Sequence, residues 1–122
     1  MNPAENYTPA GRRLGLPMVT VFAVKRTASR AVAHALDFDL VAVAPTSEEA
    51  LQKLRSAVQH HIEFGFNHGL PADDILQPAP PECWPTIYNG GFTLGEEIEV
   101  DHQRIRTFTR VVDEAEPCLA SA

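Results

Sequence analysis

Residues 30–64 read RAVAHALDFDLVAVAPTSEEALQKLRSAVQHHIEF, and this stretch decides the fold. Its first part alternates larger side chains with alanine as far as Leu36, which predicts a strand with one face of small residues that permits close packing. Asp37-Phe38-Asp39 then suits a tight reversal, although Phe38 could instead continue the strand. Residues 40–43 are apolar throughout and predict a third strand that is buried or nearly so.

A helix with a clear start follows these strands. Thr46 can accept a hydrogen bond from the first free amides, and Glu49 can return a carboxylate to Thr46, which together form a capping box. Apolar residues then recur every three or four positions and predict a stripe that lies on the sheet, namely Ala50, Leu51, Leu54, Ala57, Val58, Ile62 and Phe64. Gly65 or Gly69 ends the helix, and Pro71 excludes much further extension.

The flanking segments complete the predicted architecture. Residues 17–24 are rich in β-branched and apolar side chains and predict a first strand, joined to the second by a polar connection at 25–29. Half of the ten prolines fall between residues 71 and 85, which favours an extended crossing over a helix, with Trp84 as its anchor. Residues 91–115 alternate weakly and favour a second hairpin, with a short C-terminal helix as the rival interpretation.

The sequence therefore predicts one small α+β domain in β-β-β-α-β order, with an antiparallel sheet and one main helix on one face. We expect a flexible arm at 1–16, the α+β domain with its proline-rich tail at 17–85, and an extension packed on the same domain at 86–122. A core of this size is modest, so assembly into a dimer or tetramer is expected.

The formal net charge of −6 is unevenly distributed. Residues 1–36 hold five Lys or Arg against one acid, whereas residues 37–122 hold five against fifteen. An acidic body repels phosphate backbones and favours a basic protein partner. Direct DNA binding is not expected of this chain unless the N-terminal basic residues converge on one face, namely Arg12, Arg13, Lys25, Arg26 and Arg30.

The two cysteines, Cys83 and Cys118, are 35 residues apart in sequence and lack metal-type spacing. This favours free thiols in a reducing compartment. Residues 1–15 lack the apolar core of a signal peptide, and no run of residues is long enough to span a membrane. We therefore expect a soluble cytoplasmic protein without a membrane partner.

Few residues suggest chemistry. Asp37 and Asp39 could belong to a metal-dependent nuclease site, but the first strand supplies no further acid, and a solvated turn is the better interpretation. The adjacent His60 and His61 point about 100° apart on a helix and are poor co-ligands for a metal. His34 is interpreted as a packed, hydrogen-bonded strand histidine, with a role at a partner interface as the alternative. No catalytic residue, metal site or cofactor is predicted.

The aromatic residues near the end of the helix leave two possibilities open. Either the proline-rich tail packs against the helix end through Trp84, Phe64, Phe66 and Tyr88, or these aromatic residues form an exposed recognition patch. Packing is the favoured interpretation. Trp84, Thr46 and Glu49 are accordingly predicted to be structural.

The order of these parts resembles the partial RNase H-like domain of the HicB antitoxin family. The resemblance spans residues 18–85 and rests on AHALDFDLV at 33–41, T-x-E-E-A-L at 46–51 and A-P-P-x-x-W at 79–84. It implies a degenerate RNase H-like fold without nuclease residues, in a protein that neutralises a small RNase toxin. Residues 91–122 lack the paired helical pattern of a DNA-binding domain.

This resemblance implies a non-catalytic binding protein that occludes a small basic toxin. We expect His34, Asp37 and Asp39 at the contact edge. The alternatives are an oligomerisation module without a toxin and a residual metal-dependent nuclease.

Overall fold

The computed structural model describes residues 19–84, 92–100 and 103–112. These residues form a mixed sheet with one main helix packed on it, which confirms the predicted α+β class. The strands are β1 (Val19–Arg26), β2 (Ala31–Ala35), β3 (Leu40–Ala44), β4 (Thr93–Leu94), β5 (Ile98–Val100) and β6 (Gln103–Val112). The helices are α1 (Ser47–Asn67), the short α2 (Ala72–Ile75) and a 3-10 turn at Pro81–Cys83. The predicted arm at 1–16 lies outside the described residues.

The centre of the sheet differs from the prediction. The strand order is β3-β2-β1-β6-β4, with β5 also paired to β6. β1, β2 and β3 form the expected antiparallel meander. β6, however, pairs in parallel with β1, from Val19 opposite Arg106 to Lys25 opposite Val112. The prediction of a purely antiparallel sheet is therefore wrong, because the C-terminal segment enters beside β1 after a long crossover instead of adding at an edge.

β4 and β5 act as one interrupted strand along β6. Leu94 lies opposite Phe108 and Ile98 lies opposite Ile105. The three residues 95–97 therefore face the two residues 106–107 of β6. This is a β-bulge, and Gly95 anchors it by donating its N–H to the Thr107 carbonyl at 2.8 Å. The antiparallel pairing of β5 with β6 confirms the preferred C-terminal hairpin over a helix at these residues.

The main core lies between α1 and one face of the sheet, which we call the helix face. The buried α1 residues are Ala50, Leu54, Val58, Ile62 and Gly65. They pack on the small-residue face of β2, where Ala31, Ala33 and Ala35 are fully buried. Phe38 belongs to the same core and lies in a turn between β2 and β3. The chain therefore reverses at this turn, and the alternative of a longer second strand is wrong.

A second, smaller core lies on the opposite face of the sheet. It contains Ala23, Leu36, Ala79, Cys83 and Val112, with Val21 and Trp84 packed against it. The proline-rich segment crosses this face, and Ala79 donates its N–H to the Leu36 carbonyl at 2.7 Å. The prediction of an extended crossing is wrong at two places, because α2 and the 3-10 turn are helical. Each begins beside a proline. At the start of a helix the backbone N–H groups have no partner within the helix, so the N–H that proline lacks costs no helical hydrogen bond.

Both ends of α1 have local causes. Thr46 is the N-cap and accepts a hydrogen bond from the Glu49 N–H at 3.2 Å, as the sequence predicts. Gly69 has a φ of 66°, and Leu70 donates to the Gly65 carbonyl at 2.9 Å, which closes the C-terminal end. Gly69 is therefore the stop, and Gly65 is an interior helical residue. None of the helices in the described residues is long and apolar enough to cross a membrane.

Candidate functional site

Asp37 is held by the start of β1. Its Oδ2 accepts hydrogen bonds from the Thr20 hydroxyl at 2.6 Å and from the Val21 N–H at 3.2 Å. Thr20 is fully buried, so the carboxylate satisfies a hydroxyl that water cannot reach. Asp37 thereby fastens the β2–β3 turn to the sheet.

His34 and Asp39 form a pair across the same turn. His34 Nε2 lies 2.6 Å from Asp39 Oδ1, and the side chains are 3% and 45% exposed respectively. Asp39 has a φ of 52°, a left-handed conformation that aspartate tolerates better than most residues. The packed, hydrogen-bonded strand histidine expected at position 34 is confirmed. Because His34 is buried, Asp39 is the member of the pair that presents a charge at the surface.

Two further carboxylates lie at the same end of the molecule. Gln77 donates its backbone N–H to the Asp37 carbonyl at 3.1 Å and its side-chain amide to the Asp74 carbonyl at 3.4 Å. These bonds bring α2, with its exposed Asp73 and Asp74, beside the β2–β3 turn. We call the group of Asp37, Asp39, Asp73 and Asp74 the acidic end.

Exposed apolar side chains accompany the carboxylates. Phe64 is 57% exposed and Leu70 is 39% exposed, both near the C-terminus of α1 where α2 begins. The Phe64 ring stacks on His68 with a centroid separation of 4.0 Å, which holds the ring in place. A half-exposed aromatic beside fixed charges is a common feature of protein-binding surfaces.

The described residues place no basic side chain in an ion pair at the acidic end. Within the described residues, no Lys or Arg forms an ion pair with any of its four carboxylates. The imidazole of His34 is the only ionisable partner of the group in that part of the chain. The local field therefore favours an approaching cation.

A second cluster of acids, beside the β-bulge, is partly neutralised. Glu96, Glu97 and Glu99 line an open groove of about 350 Å³ against α1. Arg55 lies in this groove with its Nη2 3.6 Å from Glu96 Oε2, and Arg104 Nη1 is 4.0 Å from Glu97 Oε1. This groove therefore offers less net negative charge than the acidic end.

Trp84 packs against a different part of the molecule from the predicted one. Its Nε1 donates to the Ala79 carbonyl at 3.0 Å, and its ring packs on the face of the sheet opposite α1. The expected packing against Phe64 at the helix end is thus wrong, because the proline-rich segment crosses the other face.

Cys83 corrects a second expectation. It is buried and disulfide-bonded, so the prediction of a free thiol is wrong for this residue. Cys118, the other cysteine in the sequence, lies outside the described residues. A separation of 35 residues in sequence carries no information about distance in the fold. The inference from free thiols to a reducing compartment loses its support.

Comparison with protein-family models, with curated proteins and with solved structures gave no match. The site therefore stands on its own geometry. Sequence reasoning placed Asp37 and Asp39 in one turn but missed Asp73 and Asp74. A signal for them existed, since a proline with two aspartates in the turn that follows it, as in Pro71-Ala72-Asp73-Asp74, is typical of a helix start.

Proposed function

We propose that this chain is a non-catalytic, antitoxin-like binding protein that neutralises a small basic RNase by covering it. The observations that carry the proposal are the acidic end, whose four carboxylates have no Lys or Arg partner in the described residues, and the exposed apolar side chains near the C-terminus of α1. RNases that bind phosphate backbones present basic surfaces, so charge complementarity favours this pairing.

The mechanism is occlusion. Phe64 supplies an apolar anchor that a partner can bury, and the carboxylates of the acidic end select a basic surface. The hydrogen bonds that hold Asp37 and Asp39 fix these carboxylates before the partner arrives, so little conformational entropy is lost on binding.

The arrangement of the acids argues against the nuclease alternative. A metal-dependent nuclease needs several acidic side chains gathered around its ions, yet within the described residues no group of three or more His, Cys, Asp or Glu side chains could hold a metal ion. Hydrogen bonds meanwhile tie Asp37 to Thr20 and Val21, and Asp39 to His34. Both carboxylates are therefore interpreted as structural and electrostatic groups.

The first experiment is a native pull-down of the tagged chain from its own cells, with mass spectrometry of the retained proteins. We expect a small basic protein in stoichiometric amount, whose RNase activity falls when the chain is added. Recovery of the chain alone, or a partner that lacks RNase activity, would contradict the proposal.

Titration calorimetry with that partner then locates the surface. Phe64→Ala is expected to weaken binding about 30-fold, as for an aromatic anchor worth about 2 kcal/mol. The double substitution Asp73→Asn with Asp74→Asn is expected to weaken it about threefold to tenfold, since rim charges contribute about 0.5 kcal/mol each.

The control keeps the change in charge and moves it to another part of the surface. Glu96→Gln with Glu97→Gln also removes two negative charges, but at the groove beside the β-bulge, and we expect less than a twofold change. Equal losses from both double variants would show that only the net charge matters and would refute the acidic end as the contact surface.

A further inference from the structure

β3 is an edge strand with exposed apolar side chains. Within the described residues its only strand neighbour is β2, so its other side has no strand partner there. Val41 and Val43 are 45% and 38% exposed, and both side chains point away from α1. Exposed β-branched residues on an unpaired edge favour addition of another strand.

The hydrogen bonds of β2 show which backbone groups of β3 are available. Leu36 donates its N–H to Val21 of β1, so the even-numbered residues of β2 bond toward β1 and the odd-numbered ones bond toward β3. The odd-numbered residues lie opposite Leu40, Ala42 and Ala44. The backbone groups of Val41 and Val43 therefore point out of the sheet, and Lys53 Nζ lies 3.4 Å from the Val43 carbonyl on that outer side.

We propose that β3 pairs antiparallel with β3 of a second copy of this chain, about a two-fold axis at Ala42, to form a continuous intermolecular sheet. In this register Val41 of each copy lies opposite Val43 of the other, and each pair exchanges two backbone hydrogen bonds. The four valines then form one apolar cluster on the face away from α1. The axis falls at Ala42 because Asp39, with its φ of 52°, has left the strand, so only this centre pairs all of Leu40–Ala44.

Charge complementarity selects a second copy over an unrelated strand. Lys53 lies beside one end of the β3 edge, and Asp39 precedes the other end. Antiparallel pairing brings the Lys53 end of one copy beside the Asp39 end of the other, twice, by symmetry. A lysine at a sheet edge usually discourages strand addition, but an incoming β3 brings Asp39 of the second copy to the lysine and so supplies the opposite charge.

The test begins with the mass in solution by light scattering, over a range of protein concentration. The chain alone is expected at twice its mass of 13.4 kDa, without any other protein. Val41→Lys with Val43→Lys is expected to raise the dimer dissociation constant at least tenfold, because like charges then face each other across the axis. Val111→Lys, at a valine 63% exposed on β6, is the matched control and is expected to remain dimeric.

Amide hydrogen exchange on the unaltered chain tests the register without any substitution. The N–H groups of Val41 and Val43 are expected to be protected at high concentration and to exchange rapidly on dilution, whereas the amides of Leu40, Ala42 and Ala44 stay protected throughout. A mass of 13.4 kDa at all concentrations would overturn the proposal. A dimer in which the Val41 and Val43 amides exchange rapidly at every concentration would overturn it equally.

Discussion

The contact between Gly65 and Ile75 leads to a prediction about stability that opposes ordinary helix propensity. Gly65 is an interior residue of α1, where alanine would normally stabilise a helix by about 1 kcal/mol. An added Cβ would lie 2.5 Å from Ile75 Cγ1 and 2.7 Å from Ile75 Cδ1. Since non-bonded carbons prefer a separation of about 3.5–4.0 Å, Ile75 would have to move by ~1 Å. Ile75 is 1% exposed and has little room to do so.

These contacts set the expected magnitude for Gly65→Ala. Overpacking of a buried site costs about 1–3 kcal/mol, and the gain in helix propensity offsets about 1 kcal/mol of it. The free energy of unfolding should therefore fall by about 1 kcal/mol. Ile75→Ala removes both clashing atoms, so its usual cost of about 2–5 kcal/mol should be smaller in the Gly65→Ala background. We expect a coupling free energy of about 1–3 kcal/mol between the two substitutions.

The assay is urea unfolding of the parent, the two single variants and the double variant, followed by circular dichroism. Gly69→Ala is the control, because its φ of 66° strains any alanine while no atom lies within 4 Å of the added Cβ. It should cost about 1 kcal/mol through the backbone and be additive with Ile75→Ala. Additivity of Gly65→Ala with Ile75→Ala to within about 0.5 kcal/mol would refute the steric explanation.

Three further predictions concern hydrogen bonds and can be measured by the same unfolding assay. Thr46→Ala should cost about 1 kcal/mol of unfolding free energy. Ser47→Ala next to it should be neutral, because the buried Ser47 hydroxyl oxygen has no hydrogen-bond partner among the described residues; equal losses would contradict the capping role. Asp37→Ala should cost about 2 kcal/mol, because it leaves the buried Thr20 hydroxyl without its acceptor. The same substitution should cost much less in a Thr20→Val background, where that hydroxyl is absent. Additive costs of the two substitutions would count against the bond. Asp39→Gly should lower the free energy of unfolding by about 1–2 kcal/mol, because the buried His34 imidazole loses its partner even though glycine relieves the left-handed φ. Asp39→Asn should lower it by less, since the amide can still bond to His34. The reverse order would show that backbone strain dominates.

Local patterns predicted the first half of the fold because its contacts are close in sequence. The alternation of alanine with larger residues gives β2 its two faces, and Thr46 marks the start of α1 by its own hydroxyl. Gly69 is identifiable as a stop because only glycine adopts a positive φ without strain. Each of these features depends on residues that lie within a few positions of one another.

The second half could not be derived in the same way. β6 reads as a weakly alternating segment, and nothing local to it indicates that it will lie parallel to β1 at the centre of the sheet. The sequence predicts that Trp84 packs at the helix end, but which face of the sheet it covers depends on the path of the proline-rich segment. The pairing of β6 with β1 joins residues more than eighty positions apart, and such contacts leave little trace in a local pattern.

The candidate site likewise combines contacts that are close in sequence with contacts that are far apart in sequence. Asp37 and Asp39 are close in sequence, so their shared turn was predictable. Asp74 joins them only through Gln77, whose backbone binds the Asp37 carbonyl and whose amide binds the Asp74 carbonyl. The sequence therefore predicted half of the acidic end.

One buried polar pair lies where the two halves of the sheet meet. Thr20 of β1 lies opposite Thr107 of β6, and both are fully buried. The Thr20 hydroxyl donates to Asp37 in the β2–β3 turn, while the Thr107 hydroxyl donates to the Glu96 carbonyl in the bulge at 2.7 Å.

A shift of β6 by one residue along β1 would turn its buried side chains to the other face. A shift by two residues would keep the faces but would move Thr107 from its place opposite Thr20. Neither hydroxyl would lose its acceptor, because the Thr20 bond stays on the side of β1 and the β2–β3 turn, whereas the Thr107 bond moves with β6 and its bulge. The two hydrogen bonds therefore stabilise each half of the sheet separately, and the pattern of buried side chains on β6 excludes only shifts by an odd number of residues.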